Sequence, residues 1–294
     1  MKKGLKIFGI ILLCIVVLMA AGIAFLVHSG QKLEKSQVED QANMTKTDDE
    51  LLGVQFDVPR SGKDPVDVNL YIPEEGGDLP VVFNIHGGAF IAGDADTLDT
   101  QSDRISRSWN VIVVTINYRL MTDETPIEYG TEEVIDVIRY FKEHAEEYRA
   151  DPDRFCVMGY SAGAYHTAAA VLAIKAENVD VAAQVLCYAY IGDAVERYNA
   201  LSPEQRATMA PALFVLADND SFSEESLAYQ EVLEANGVSA QVKQYAGSFH
   251  GFIEENNPEY EDLIITISKS PEQGKLAREA EDFIGTWLNG LFAR

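Results

Sequence analysis

Basic residues are scarce in this chain: 23 Lys and Arg stand against 47 Asp and Glu, a formal net charge of −24. A surface so acidic repels nucleic acid and anionic lipid headgroups, so no nucleic-acid partner is expected. Cysteine is scarcer still, with three residues, Cys14, Cys156 and Cys187. Cys156 and Cys187 fall in strand-like apolar runs, which favours two buried thiols over a disulfide. There is no C-x-x-C and no H-E-x-x-H, so nothing suggests a metal site. Histidine is limited to positions 28, 86, 144, 166 and 250, and so the candidates for a general base are few. No internal repeat and no second domain can be made out.

Charge is also absent from one long run. Residues 7–27 contain none, and Lys2, Lys3 and Lys6 precede them. That length matches the ~20 residues of a bilayer-spanning helix, and flanking lysines keep the amino end cytoplasmic. Residues 1–29 are therefore expected to be an uncleaved signal anchor, with the catalytic domain on the extracytoplasmic side. A signal peptide cut near Val27-His28-Ser29, giving a secreted protein, is the alternative. Cys14 follows the bulky Leu13, a poor lipoprotein cleavage site. Residues 30–50 are polar and aperiodic, and read as a flexible linker. A domain over 51–294 follows.

That domain opens with two alternating segments, 53–58 and 66–72, separated by a turn rich in Pro and Gly, which predicts an antiparallel hairpin. Apolar runs at 80–85, 111–116, 155–158, 181–190, 212–216 and 240–245 read as further strands. Helices are expected over 97–108, 128–148, the Ala-rich stretch after Gly163, 224–235 and 275–291. Ser202-Pro203-Glu204-Gln205 has the form of a capping box. Strands alternating with helices imply an α/β fold, a mostly parallel eight-stranded sheet with helices on both faces. Two irregular stretches, 191–201 and 254–273, are expected to shape the pocket at the carboxyl ends of the strands.

Gly159-Tyr160-Ser161-Ala162-Gly163 lies between a strand and a helix, the setting of a nucleophile elbow. A serine hydroxyl needs an adjacent base. Only His166 and His250 follow Ser161. His166 lies in the same helix and reads as a packed residue, which leaves His250, just past the last strand, as general base. The acid should follow strand 212–216. Asp218 and Asp220 both qualify; Asp220 is preferred and Asp218 is the alternative. Glu224 belongs to the next helix. Oxyanion donors are expected from the backbone of Ala162 and from Gly87 and Gly88 in His86-Gly87-Gly88-Ala89. Phe90 is expected to pack rather than bind.

Together with Asn117-Tyr118-Arg119-Leu120, Leu216-Ala217-Asp218-Asn219-Asp220 and Phe249-His250-Gly251-Phe252, these motifs resemble the α/β-hydrolase superfamily, and more narrowly its hormone-sensitive-lipase-like esterase branch. The resemblance runs in order over 51–294. It implies hydrolysis of small-molecule carboxylic esters through an acyl-serine, without a cofactor, and it maps the family's acid onto Asp220. The chain departs from the branch at Tyr160, Asn117 and Met121-Thr122-Asp123, which bears on the substrate. Short acyl or acetyl esters, including acetylated sugars, are the expected substrates. A peptidase of the prolyl-oligopeptidase type and a non-catalytic binding module are the alternatives; the first lacks room for its extra domain, and the second usually loses Ser or His.

Overall fold

Period-two alternation buries the central strands on both faces. Val81, Phe83 and Ile85 point into one core, while Val82 points into the other. Ile112, Val114 and Ile116 oppose Val113 in the same way, as Phe155 and Val157 oppose Cys156 and Met158. Strands so placed must be covered on both sides, as parallel strands are in α/β proteins. The computed structural model describes residues 50–74, 76–260 and 267–293.

Its eight strands are β1 (Val54–Val58), β2 (Val66–Tyr71), β3 (Leu79–Ile85), β4 (Ile112–Ile116), β5 (Ala150–Tyr160), β6 (Ala183–Cys187), β7 (Ala212–Asn219) and β8 (Ala240–Phe249). They lie in the order β1-β2-β4-β3-β5-β6-β7-β8. The β1–β2 and β2–β4 pairs are antiparallel and all others parallel. This is the expected sheet with its expected opening hairpin.

The helices are α1 (Asp99–Trp109), α2 (Ile127–Glu143), α3 (Ala145–Tyr148), α4 (Ala162–Ala176), α5 (Ala194–Ala200), α6 (Pro203–Ala207), α7 (Ser223–Ala235) and α8 (Pro271–Phe292). α2, α4 and α7 cover one face through Val134, Ile138, Phe141, Ala168, Val171, Tyr229 and Leu233. α1 and α8 cover the other through Ile105, Trp109, Ala280, Ile284 and Leu288. Each fully buried Val, Leu, Ile or Phe among these contributes about 1.5–3 kcal/mol over its exposed state.

Several boundaries differ from the sequence reading, and three of the differences have a clear structural form. The single helix expected over 128–148 breaks at His144, whose φ of −112° and ψ of 23° leave the α region. The His144 ring bonds the Tyr140 carbonyl, and the chain turns so that Tyr148 packs on Phe56 and Phe141. Strand β5 begins five residues early, since Ala150 pairs with Leu79 before a register shift brings Phe155 opposite Val81. The stretch 191–201 is not irregular throughout, because α5 lies inside it. The Ser202 capping box forms as read, with Ser202 and Gln205 bonding reciprocally. Cys156 and Cys187 are free and buried. Among the described residues no helix is long and apolar enough to cross a membrane. The expected anchor at 1–29 lies outside those residues, as does the linker up to residue 49.

Candidate active site

Strand β5 stops at Tyr160 and α4 starts at Ala162, so Ser161 must make the whole turn. It does so at φ 52° and ψ −114°, a strained conformation for a residue with a side chain. Close packing maintains the turn. A Cβ on Gly159 would lie 2.3 Å from the Gly163 carbonyl oxygen, and one on Gly163 would lie 2.2 Å from that of Ile85. Neither position tolerates any other residue without moving backbone. The Ser161 N–H donates to the Cys187 carbonyl at 3.0 Å, tying the turn to the end of β6.

Register places the other two groups. Asn219 pairs with Phe249 at the carboxyl ends of β7 and β8. Asp220 and His250 directly follow the ends of these adjacent strands. His250 Nδ1–H donates to Asp220 Oδ2 at 2.9 Å, and the Ser161 hydroxyl donates to His250 Nε2 at 2.8 Å. The Asp220 side chain is 2% exposed and that of His250 34%, so the acid is shielded while the ring meets solvent. Asp220 Oδ1 also accepts from the Phe222 N–H at 3.0 Å, which orients the carboxylate. Asp218 lies elsewhere: it accepts from the Gly247 N–H at 3.0 Å and from Gln244 Nε2 at 3.3 Å, bracing β8. Of the two candidate acids, the structure brings Asp220 to the histidine.

His166 is buried in α4 and shares a 2.8 Å hydrogen bond with Thr131. Burial, with the neighbouring His86, lowers its pKa to about 3, so it stays neutral. It is the packed residue that its position suggests.

Gly87 and Gly88 follow β3, beside the elbow: the Gly163 contact with Ile85 extends to the His86 carbonyl oxygen, 2.4 Å from the same added Cβ. His86 is fully buried and stacks on Tyr118 with ring centroids 4.3 Å apart. Burial lowers its pKa to about 4. Its neutral ring donates from Nδ1 to the Gly87 carbonyl at 2.7 Å. In a trans peptide that orientation turns the Gly88 N–H the opposite way, off the histidine. The loop is pinned further on, where Phe90, at φ 70°, accepts from the Met121 N–H at 2.7 Å. On the elbow side, the Ala162 N–H lies in the first turn of α4, where donors lack intrahelical acceptors. The arrangement can hold a serine deprotonated by an imidazole, with main-chain N–H groups nearby to meet a developing oxyanion.

Sequence reasoning missed the aromatic rings around the histidine. Tyr188 meets the His250 ring edge-on at 5.1 Å and Phe222 does so at 5.3 Å. Tyr190 joins Phe222 to Phe90, at 5.8 and 5.9 Å. Phe90 packs, as expected, against Tyr165 and His166. The available signal was position: Tyr188 lies in the run 181–190, directly after β6 ends at Cys187, and it turns there at a positive φ of 37°.

A family model described as the alpha/beta hydrolase fold matches residues 82–208 and 196–254. The esterase LipI of Mycobacterium tuberculosis is 27% identical over 232 residues, spanning 64% of this chain and 71% of the relative. An acetyl esterase of Salmonella schwarzengrund is 24% identical over 226 residues, 64% of this chain and 69% of the relative. Among solved structures, the hyperthermophilic esterase of the archaeon Pyrobaculum calidifontis superposes with a TM-score of 0.68 at 22% identity, covering 90% of this chain and 93% of the other. The order of strands, the elbow at Ser161 and these matches lead to one conclusion: the chain belongs to the α/β-hydrolase fold family.

Proposed function

We propose that this chain is a serine esterase that cleaves short acyl or acetyl esters of small molecules, acetylated sugars among them. The observation that carries the reading is the unbroken relay from Asp220 through His250 to Ser161, with the Gly87–Gly88 turn beside it. Ser161 Oγ attacks the ester carbonyl as His250 Nε2 takes its proton. The carbonyl oxygen becomes an oxyanion opposite the N–H groups of Ala162 and the glycine turn. His250 returns the proton to the leaving alcohol, and an acyl-serine remains. Water, deprotonated by the same imidazole, then releases the acid. Asp220 keeps the imidazole in the tautomer with hydrogen on Nδ1 and stabilises its cation. The relatives named above are an esterase and an acetyl esterase, which weighs against the peptidase and binding-module readings.

The test is hydrolysis of p-nitrophenyl acetate, followed by a panel varying acyl length and including acetylated sugars and dipeptides. Ser161→Ala should lower turnover by about a thousandfold or more. Equal rates for the variant and its parent would reject Ser161 as nucleophile. Residues 1–29 are proposed to hold this activity at the membrane, with residues 51–294 outside it.

A further inference from the structure

Glu254 lies four residues past His250, in the 3-10 turn Glu254–Asn256, and only 4% of it is exposed. Its carboxyl abuts the glycine turn. A Cβ on Gly87 would sit 2.4 Å from Glu254 Oε1 and 3.2 Å from the carbonyl oxygen of Tyr160, the residue before the nucleophile. One contact thus joins the carboxyl, the expected oxyanion loop and the elbow. A side chain at Gly87 would displace the carboxyl.

The surroundings suit an uncharged acid. Glu254 Oε2 has no hydrogen-bond partner among the described residues. No lysine or arginine pairs with it there. The groups that interact with it electrostatically are the hydroxyls of Tyr118, Tyr160, Tyr188 and Tyr260, the thiol of Cys187, and the carboxylate of Glu255. His86, behind the same loop, is neutral. The Tyr188 hydroxyl bonds the carboxyl and favours its charged form, but this single donor does not offset the loss of hydration. Burial first, and the Glu255 charge second, hold the pKa of Glu254 well above the usual carboxylate range. Tyr188, which flanks His250, accepts from the Glu254 backbone N–H at 3.4 Å, so the turn also reaches the general base.

A negative charge at this point would act twice. It would repel the oxyanion that forms across the glycine turn, and it would draw hydrating water toward the buried Gly87. We propose that Glu254 is a positioning residue whose buried carboxyl backs the Gly87–Gly88 turn, so that a negative charge there disables the oxyanion site and stops turnover. The proposal rests on the esterase reading of the site.

The experiment compares kcat and KM for phenyl acetate, blank-corrected, in the full chain and in Glu254→Gln and Glu254→Ala, from about pH 6 to about pH 10. Parent kcat should fall on the alkaline side with KM steady. Glu254→Gln should keep parent kcat within about threefold at neutral pH and lose the alkaline fall, while Glu254→Ala should lose about tenfold or more throughout. A Glu254→Gln profile that tracks the parent's overturns the proposal. Thermal unfolding gives a readout independent of activity. The folded state binds this proton more tightly than the unfolded one, so parent stability falls as pH rises above the unfolded value. The Tm advantage of Glu254→Gln should therefore widen with pH; parallel curves overturn the proposal. A parent without activity on any ester would reject the esterase reading instead, and the Tm comparison would still report the Glu254 proton.

Discussion

Asp218 and Asp220 share their chemistry and differ in their settings. Asp218 is exposed and braces Gly247 and Gln244 of β8, whereas Asp220 is sealed beneath His250. Asp220→Asn should lower kcat by about a thousandfold or more, because the amide favours the wrong imidazole tautomer, and Asp218→Asn by less than about threefold. Steady-state rates on p-nitrophenyl acetate decide it; a larger loss at Asp218 would reverse the assignment. Two other histidines matter through protonation rather than chemistry. His86 and His166 titrate near 4 and 3 when folded and near 6.5 when unfolded. Below about pH 6.5 the unfolded chain takes up these protons first, so each histidine withdraws about 1.4 kcal/mol of stability per unit fall in pH until its folded pKa is reached. His166→Gln should be less stable than the parent at pH 7, having lost contacts with Tyr118 and Phe90. The gap should narrow as pH falls, because the variant no longer carries that proton. Melting curves at several pH values check this, and a constant gap would refute it.

Between elements, buried polar groups tie the far layers to the elbow. Glu281 of α8 takes Gln101 of α1 at 2.9 Å and Arg104 at 2.9 and 3.1 Å. Gln101 in turn accepts from the Tyr160 hydroxyl at 3.1 Å, next to the nucleophile. Glu281→Ala leaves the Gln101 amide and the Arg104 guanidinium without this partner, and should cost about 3 kcal/mol, measured as a shift in the urea midpoint. Turnover per folded molecule should change by less than about threefold, because Tyr160 remains packed. Local signals read well where they repeated. The alternation of 80–85 and 111–116 became β3 and β4 within one residue. Short elements escaped. α5 buries only Ala194 and Tyr198, one i,i+4 pair, which is too little to establish a period. The break at His144 escaped for another reason: nothing in the residues around 144 breaks a helix by propensity, and the Phe56–Phe141–Tyr148 cluster overrides it.

For the whole molecule, the proposed anchor makes a separate prediction. The full chain should sediment with membranes and resist extraction by high salt, whereas a chain lacking residues 1–29 should be soluble with unchanged kcat. Sequencing the mature amino end shows whether those residues survive; a mature start near residue 30 would replace the anchor with a cleaved leader. From the sequence alone the class of fold could be read and Ser161 singled out as the candidate nucleophile, since hydrophobic period and the Gly-x-Ser-x-Gly turn are local in the chain. The sequence also narrowed the base to His250, because only two histidines follow Ser161. The sequence preferred Asp220 to Asp218, but the contact of Asp220 with His250, the tyrosine and phenylalanine that grip the imidazole, and the carboxyl of Glu254 under Gly87 were decided by tertiary structure alone. Those relations join residues from different strands, and they depend on how β7 and β8 register and on how the loops fold back over the sheet edge.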